Sequence, residues 1–247
     1  MSRLLPFIAL VALVATGCGS SGNHASLDTG SDGGTTPSLP TGPTIPQPNV
    51  PGGPAAGNAA QLVQAFQAAW GGVKSLSGHY DFWEKNGSET EIAKVDVWFQ
   101  KPGSYRLEVS DATEAIKKGS KSVFSTRTRK ISSRPGGALS FVKLDGTLDD
   151  ARSKSVRGYT LDQTDYATQV GVLLANPAAL KLATGKANTL ELAKPAKYPG
   201  IDAMRVTLDA RNLPVYFEMT ERGQVIHTRK FTKLNLNPTI SSDKFTL

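Results

Sequence analysis

The three histidines are the first residues to test for chemistry, because imidazole serves both as a metal ligand and as a general base. His24, His79 and His227 lie far apart in the 247-residue sequence, and no cluster of carboxylates accompanies them. Metal sites need ligands at short, regular spacings, and this pattern does not supply them. We interpret His79 and His227 as residues on the surface or on a strand face, and we expect no metal site.

Acidic pairs and catalytic sequence motifs give no stronger signal. Asp149-Asp150 and the pair Asp162 and Asp165 fit loop positions and helix caps better than an acid–base pair. The sequence contains neither a GxSxG nucleophile motif nor a P-loop. We therefore expect no catalytic residues, no cofactor and no enzymatic activity.

Cys18, the only cysteine of the chain, carries the clearest chemical signal. Arg3, an apolar run over residues 4–14 and the small residues Ala15-Thr16-Gly17 precede it, which is typical of a signal peptide. A lone cysteine at this place resembles the bacterial lipobox, and that resemblance implies a signal peptide over residues 1–17 and an acylated Cys18. The alternative is ordinary secretion with an incidental cysteine, which would leave an unpaired exported thiol.

Residues 19–57 are rich in Gly, Ser, Thr and Pro and have too little apolar surface to order themselves. We predict that residues 18–57 form a disordered tether and that residues 58–247 form one domain. An Asp after the lipobox cysteine is the typical inner-membrane retention signal, so Gly19 favours an outer membrane location, facing the periplasm. The net charge of +7 suits a solvated surface or contact with anionic lipid head groups. No nucleic-acid-binding motif is present, so we expect no nucleic acid partner.

One amphipathic helix and a long sheet are predicted for the start of this domain. Apolar residues recur at helical spacing over residues 58–74, with Asn58 as the N-cap. From residue 76 to residue 109 they alternate with polar residues, which predicts strands with one buried face. Asn86-Gly87 and Pro102-Gly103 supply the turns between those strands.

The rest of the chain continues the sheet and adds a second helical element. About ten strands with mostly hairpin-length connections predict an α+β, mainly β fold: a curved antiparallel sheet whose apolar face the helical segments cover. Such a fold encloses either an apolar cavity or a packed core. The further elements that we predict are strands at 122–125, 127–132 and 138–144, a loop over 145–160, a helical segment over 162–183 broken at Pro177, strands from about 187 to 236, and a bulge between Phe231 and Leu234.

Three segments together resemble the LolA/LolB lipoprotein-localisation superfamily, which includes RseB-like and LprG/LppX-like proteins. They are Leu76-Ser77-Gly78 after the first helix, the turn VWFQKPGSYR over residues 97–106, and the ending DKFTL over residues 243–247. The resemblance implies an unclosed β-barrel with a helical lid and an apolar cavity for acyl chains. In the soluble carrier of this superfamily, an arginine before the proline helps to hold the lid closed. Lys101 is at the matching position here and lacks the planar fork of arginine. Lys101 is therefore the candidate lid contact.

The function that we predict is binding of lipid or of lipoprotein acyl chains by a membrane-anchored protein of the bacterial envelope, in transport or sorting to the outer membrane. The alternative is an RseB-like sensor or protein-interaction module on the same fold. Burial of about fourteen carbons offers on the order of 10 kcal/mol before ordering costs, so no special polar residue is needed. The candidate cavity residues, each also compatible with a plain core, are Leu62, Phe66, Trp70, Phe82, Val97, Phe99, Tyr105, Leu107, Val206, Leu208 and Phe217.

Overall fold

A computed structural model describes residues 58–247 of the chain. Its helices are α1 (Ala59–Gly71), α2 (Leu161–Thr164) and α3 (Tyr166–Leu174). Its strands are β1 (Ser75–Asn86), β2 (Glu89–Gln100), β3 (Ser104–Ala112), β4 (Lys121–Ser125), β5 (Lys130–Arg134), β6 (Leu144–Thr147), β7 (Lys181–Leu182), β8 (Thr189–Ala193), β9 (Ala203–Leu208), β10 (Pro214–Glu221) and β11 (Gln224–Leu236). Residues 1–57, with the predicted signal peptide, Cys18 and the tether, lie outside the described part.

The eleven strands form one antiparallel sheet in the order β6, β5, β4, β3, β2, β1, β11, β10, β9, β8, β7. The chain therefore builds one half of the sheet outward from β1, and the returning strand β11 pairs with β1 to start the other half. Strands β6 and β7 are its two edges and do not pair with each other, so the sheet is not closed. This confirms the predicted mainly β fold with an unclosed antiparallel sheet.

Local sequence signals explain most element boundaries. The Asn58 side chain accepts a hydrogen bond from the Gln61 backbone N–H at 3.0 Å and so caps α1, as predicted. Gly87 has a φ of 59° in the first hairpin turn, where a side chain would be strained. Alternate residues of β2 are buried, which confirms that this strand has one apolar face.

The predicted bulge in the last strand is confirmed. His79 pairs with Lys233 and Tyr80 pairs with Phe231, so Thr232 is the extra residue on β11. The slip keeps the apolar residues of β11 on the buried face on both sides of the bulge. Gly78 lies beside it, and a Cβ there would stand 2.5 Å from the Lys233 carbonyl oxygen. The glycine is therefore required by the close approach of the two strands.

Two predicted strands have different bounds in the structure. Residues 138–144 were expected to form a strand, but Gly137–Leu139 is a 3₁₀ turn and β6 begins only at Leu144. Phe141 is 78 % exposed, so the apolar residues whose alternation predicted this strand do not form a buried face. The strand expected over 127–132 begins at Lys130, because Arg129 has a φ of 54° and completes the turn before it.

The helical segment expected over residues 162–183 is interrupted earlier than at Pro177. Asp165 has an extended backbone and caps α3 by accepting the Thr168 N–H at 2.9 Å, which separates α2 from α3. Beyond α3, Pro177–Ala179 is a 3₁₀ turn and the short edge strand β7 follows. An internal capping residue therefore breaks the helix before the proline does.

The helices α1 and α3 pack on the apolar face of the sheet and join its two halves. Trp70 of α1 stacks on Phe99 with 6.2 Å between ring centroids, and its ring lies 5.7 Å from that of Tyr166 in α3. The Tyr166 ring in turn meets Phe217 edge to face at 5.5 Å. Because Phe99 lies on β2 and Phe217 on β10, the sheet must bend around the helices to complete this contact.

Candidate functional site

The candidate site is a cavity of about 170 Å³ between the N-terminal half of the sheet and the segment of residues 148–164 that faces it. We call this segment the cover. Apolar side chains from β1, β2, β3, β5 and β6 form the wall: Tyr80, Phe82, Ala93, Val95, Leu107, Val109, Ile131 and Leu144. Tyr159, Leu161 and Thr164 face them from the cover.

The space arises where small side chains meet on the buried face of the sheet. Ala93 of β2 lies opposite Phe82 on one neighbouring strand and opposite Ala112 on the other. A bulge leaves Ser110 as an extra residue of β3, since Lys94 pairs with Asp111 and Val95 with Val109. Bulges bend the strand that carries them, and here the bend falls at the rim of the cavity.

The cover is fixed to the sheet by polar contacts near its middle. The Val156 N–H donates to the Glu91 carboxylate at 3.2 Å, and the Arg157 N–H donates to the Glu84 carboxylate at 3.3 Å. The Arg157 guanidinium donates to Glu221 at 2.8 Å. The cover is therefore fastened to strands of both halves of the sheet, although it has no regular secondary structure at these residues.

A fully buried pair supports that attachment. His227 Nδ1 lies 2.9 Å from Glu84, and both side chains are inaccessible to solvent. Burial lowers the pKa of His227, so the neutral ring donates its Nδ1 proton to the carboxylate. Burial by itself would raise the pKa of Glu84, but the hydrogen bonds that its carboxylate accepts from His227 and from the Arg157 N–H outweigh burial and lower that pKa. His227 thus lies on a strand, one of the two positions that we expected, but its side chain is buried. The side chain of His79, the other histidine of residues 58–247, is partly exposed.

Arg229 is a second charged residue within the core, with 4 % of its surface exposed. Its guanidinium carbon lies 4.7 Å from the centroid of the Tyr80 ring, a cation–π distance. Its Nη1 donates to the Thr164 carbonyl oxygen and lies 3.5 Å from Gln169 Oε1. Arg229 borders both the cavity and a neighbouring recess of about 20 Å³.

The structure distributes the predicted cavity residues over three regions: the cavity, the recess and the hydrophobic core. Phe82 and Leu107 line the cavity, and Val97, Tyr105 and Leu107 line the recess next to it. The remaining candidates belong to the hydrophobic core around α1 and strands β2, β9 and β10: Leu62, Phe66, Trp70, Phe99, Val206, Leu208 and Phe217.

Several lining residues were not among the candidates. Tyr80 and Val95 lie on the same strand faces as Phe82 and Val97, so the alternation itself could have identified them. Nothing in the sequence signals Arg229, because a charged residue in a strand is normally exposed to solvent. Residues 148–160 of the cover were expected only as part of a loop, and residues 162–164 as the start of a helical segment.

Lys101, the predicted lid contact, lies at the C-terminal end of α1. Its Nζ donates to the Trp70 carbonyl oxygen at 3.2 Å and stands 4.5 Å from the centroid of the Trp70 ring. Burial lowers the pKa of Lys101. A cation at this end of a helix also interacts favourably with the helix dipole.

Two further properties bear on the kind of site. Among residues 58–247, no group of three or more His, Cys, Asp or Glu side chains is arranged to hold a metal ion. No helix in the described part of the chain is long and apolar enough to cross a membrane.

A wider, open depression of about 600 Å³ lies between α3 and residues 192–197.

Comparison with known proteins gives structural similarity only. No protein-family profile and no curated protein matches the sequence. Among solved structures, the chain is similar to a DUF1329 family protein from Desulfovibrio piger, with 9% identity and a TM-score of 0.43 over 76% of this chain and 95% of that one. A putative outer membrane lipoprotein-sorting protein domain from Vibrio parahaemolyticus matches with 12% identity and a TM-score of 0.40, over 76% of this chain and 97% of that one.

A LolA superfamily protein from Nitrosomonas europaea matches with 10% identity and a TM-score of 0.39, over 78% of this chain and 99% of that one. Identities of 9–12% leave the function to be argued from the cavity.

Proposed function

We propose that this protein binds the hydrocarbon chain of a lipid or of an acylated lipoprotein in the cavity beneath the cover. The single observation that carries this proposal is the space of about 170 Å³ behind an apolar wall of five strands. Core residues normally fill such a space, because protein interiors pack as densely as organic crystals. A space with an apolar wall on the sheet side and a polar, irregular segment on the other side can receive a hydrocarbon chain against that wall.

The size of the cavity limits how much of a chain it receives. An apolar cavity of about 150 Å³ accommodates one benzene molecule, so about six carbons fit the present space. Burial of six methylene groups contributes about 5 kcal/mol before the cost of ordering the ligand. A longer chain requires the cover to move, and the polar contacts of Val156 and Arg157 are the ones that would have to open.

The proposal extends to the place where the protein works. An acylated Cys18, followed by a tether of residues 19–57, would hold the cavity close to a membrane of the bacterial envelope. Binding an acyl chain there suits transport or sorting of lipids or lipoproteins to the outer membrane, and it requires no catalytic group. The lipobox-like sequence at residues 15–18 supports this part of the proposal.

Native mass spectrometry of the full chain, expressed in a bacterial envelope and extracted with mild detergent, tests the binding. Lipid extraction from the same sample identifies the ligand class. We expect a stoichiometric lipid or acylated peptide that leaves the protein when it is unfolded. A clean apo mass, together with no uptake of a fluorescent fatty acid, would exclude lipid binding and favour the alternative protein-interaction module.

A further inference from the structure

We propose that Arg229 binds the anionic head of the ligand, and that the ligand is a medium-chain fatty acid held with its carboxylate inward. This inference rests on the proposed function and names the ligand class of the same cavity. It follows from the position, the hydrogen bonds and the charge surroundings of Arg229.

The position of Arg229 places a charge at the inner end of an apolar space. On β11 it pairs with Phe82 of β1 and with Phe217 of β10, which are both apolar. The guanidinium lies against the Tyr80 ring and 6.0 Å from the centroid of Phe82. Tyr80, Phe82 and Arg229 all line the cavity, so a ligand chain along the aromatic wall reaches the guanidinium.

The hydrogen bonds of Arg229 do not use its whole capacity. A guanidinium has five N–H donors, and the two partners found for it, the Thr164 carbonyl and the Gln169 amide oxygen, are neutral. Its Nε is buried and has no hydrogen-bond partner within residues 58–247. Asp165 offsets part of this charge across the recess, but no carboxylate of the described residues contacts the guanidinium, so its remaining donors are available to an anionic ligand.

One acidic residue, Asp165, borders the recess together with Arg229. Its Oδ1 accepts from the Tyr105 hydroxyl and the Thr168 N–H, while its buried Oδ2 has no hydrogen-bond partner among the described residues. Glu91 accepts from Lys117 at 2.7 Å. The recess between Arg229 and Asp165, about 20 Å³, has room for one water molecule only. The head of a ligand must therefore reach Arg229 from the larger cavity.

The charges around the cavity favour an anion. Its lining contains four cationic side chains and two carboxylates, which gives a net charge of +2. A carboxylate is small, planar and matched to the fork of arginine, so it can form two parallel hydrogen bonds. The limited volume favours a single chain of medium length over a lipid with several chains. The cationic residues are Lys117, Arg152, Lys154 and Arg229, and the carboxylates are Glu91 and Asp150.

Matched ligands test this assignment on the full chain. Decanoate and 1-decanol have the same chain and differ in charge, so the ratio of their dissociation constants isolates the head-group contact. We expect decanoate to bind about tenfold to a hundredfold more tightly, as a charge-assisted hydrogen bond provides. Arg229→Met keeps a long apolar side chain and should remove this preference while decanol binding persists. Lys233→Met, a change at an exposed lysine of the same strand that does not line the cavity, should leave the preference in place.

The outcomes separate this inference from the proposed function. If neither ligand binds, the proposed function fails. If both bind equally to the wild-type chain, or if Arg229→Met retains the preference, the inference is wrong although the cavity binds hydrocarbon. Should the methionine variant not fold, nuclear Overhauser effects in the wild-type complex decide instead. Contacts from the methylene next to the carboxylate to the Tyr80 ring are expected, and contacts from the terminal methyl group alone would overturn the assignment.

Discussion

Filling the cavity from within is the most direct perturbation of the proposed site. Ala93 is 7% exposed, lines the cavity, and lies between Phe82 and Ala112 on the neighbouring strands. Ala93→Phe therefore places a phenyl ring in the space that we assign to the ligand. The neighbouring Ile92 is 49% exposed, so its side chain lies on the other face of β2, and Ile92→Phe is the matched control.

The cavity volume sets the expected magnitudes. A cavity of about 150 Å³ holds one benzene ring, so a phenyl group occupies most of the 170 Å³. Filling the whole cavity would stabilise the chain by at most about 4 kcal/mol, while overpacking costs about 1–3 kcal/mol. We therefore expect a free energy of unfolding equal to that of the wild type or up to about 2 kcal/mol higher. The ring displaces about six ligand carbons, worth about 5 kcal/mol, so affinity should fall about a thousandfold or more.

Urea unfolding and displacement of a fluorescent fatty acid measure the two quantities on the same preparations. Ile92→Phe should bind as the wild type does, because it adds the same ring outside the cavity. An Ala93→Phe chain that unfolds cooperatively and still binds the fatty acid with wild-type affinity would refute the placement of the site. Loss of binding in both variants would show that the effect does not come from filling the cavity.

Three further perturbations test the structure around the site. Because burial holds the pKa of His227 below its unfolded value of 6.5, only the unfolded chain gains that proton just below pH 6.5. The free energy of unfolding should therefore decrease as the pH is lowered below 6.5, by up to about 1.4 kcal/mol per pH unit. His227→Gln should flatten this slope in urea titrations. Tyr105→Phe removes a donor to the buried Asp165 carboxylate and should cost about 1.5–3 kcal/mol in the same assay. Gly136→Ala places a Cβ against the Lys118 carbonyl and should lower the free energy of unfolding by about 1–3 kcal/mol.

Each of these has an outcome that contradicts it. An equal slope below pH 6.5 in the wild type and His227→Gln would mean that the buried pair does not cause it. If the Tyr105→Phe chain has unchanged stability, the hydrogen bond from the Tyr105 hydroxyl to Asp165 does not contribute to the free energy of unfolding. Gly171→Ala is the control for Gly136, since nothing lies within 4 Å of its added Cβ in helix α3, and it should be neutral or stabilising. Destabilisation by both changes to a similar extent would argue against the specific clash.

Sequence patterns succeeded where the deciding interactions are local. The cap at Asn58 and the turn at Gly87 depend on neighbouring backbone groups, and the alternation in β2 depends on the pleat of a single strand. The bulge at Thr232 was predicted because the apolar phase of one strand slips there. The prediction of a strand over 138–144 was wrong because alternation indicates a strand only if another element covers one of its faces. No element covers Phe141, which is exposed.

The sequence by itself determined a mainly β domain with an unclosed antiparallel sheet, since strand periodicity and hairpin turns are properties of short segments. Only the tertiary structure decided where the interior is filled and where it is empty. Candidates such as Phe66 and Phe217 have the same apolar character as Phe82, yet they pack into the core. The cavity lies between Ala93 and the cover, and the buried Arg229 is part of its lining. These relations join residues that lie 55 to 136 positions apart in the sequence. Packing between distant elements, and not local pattern, therefore created the site.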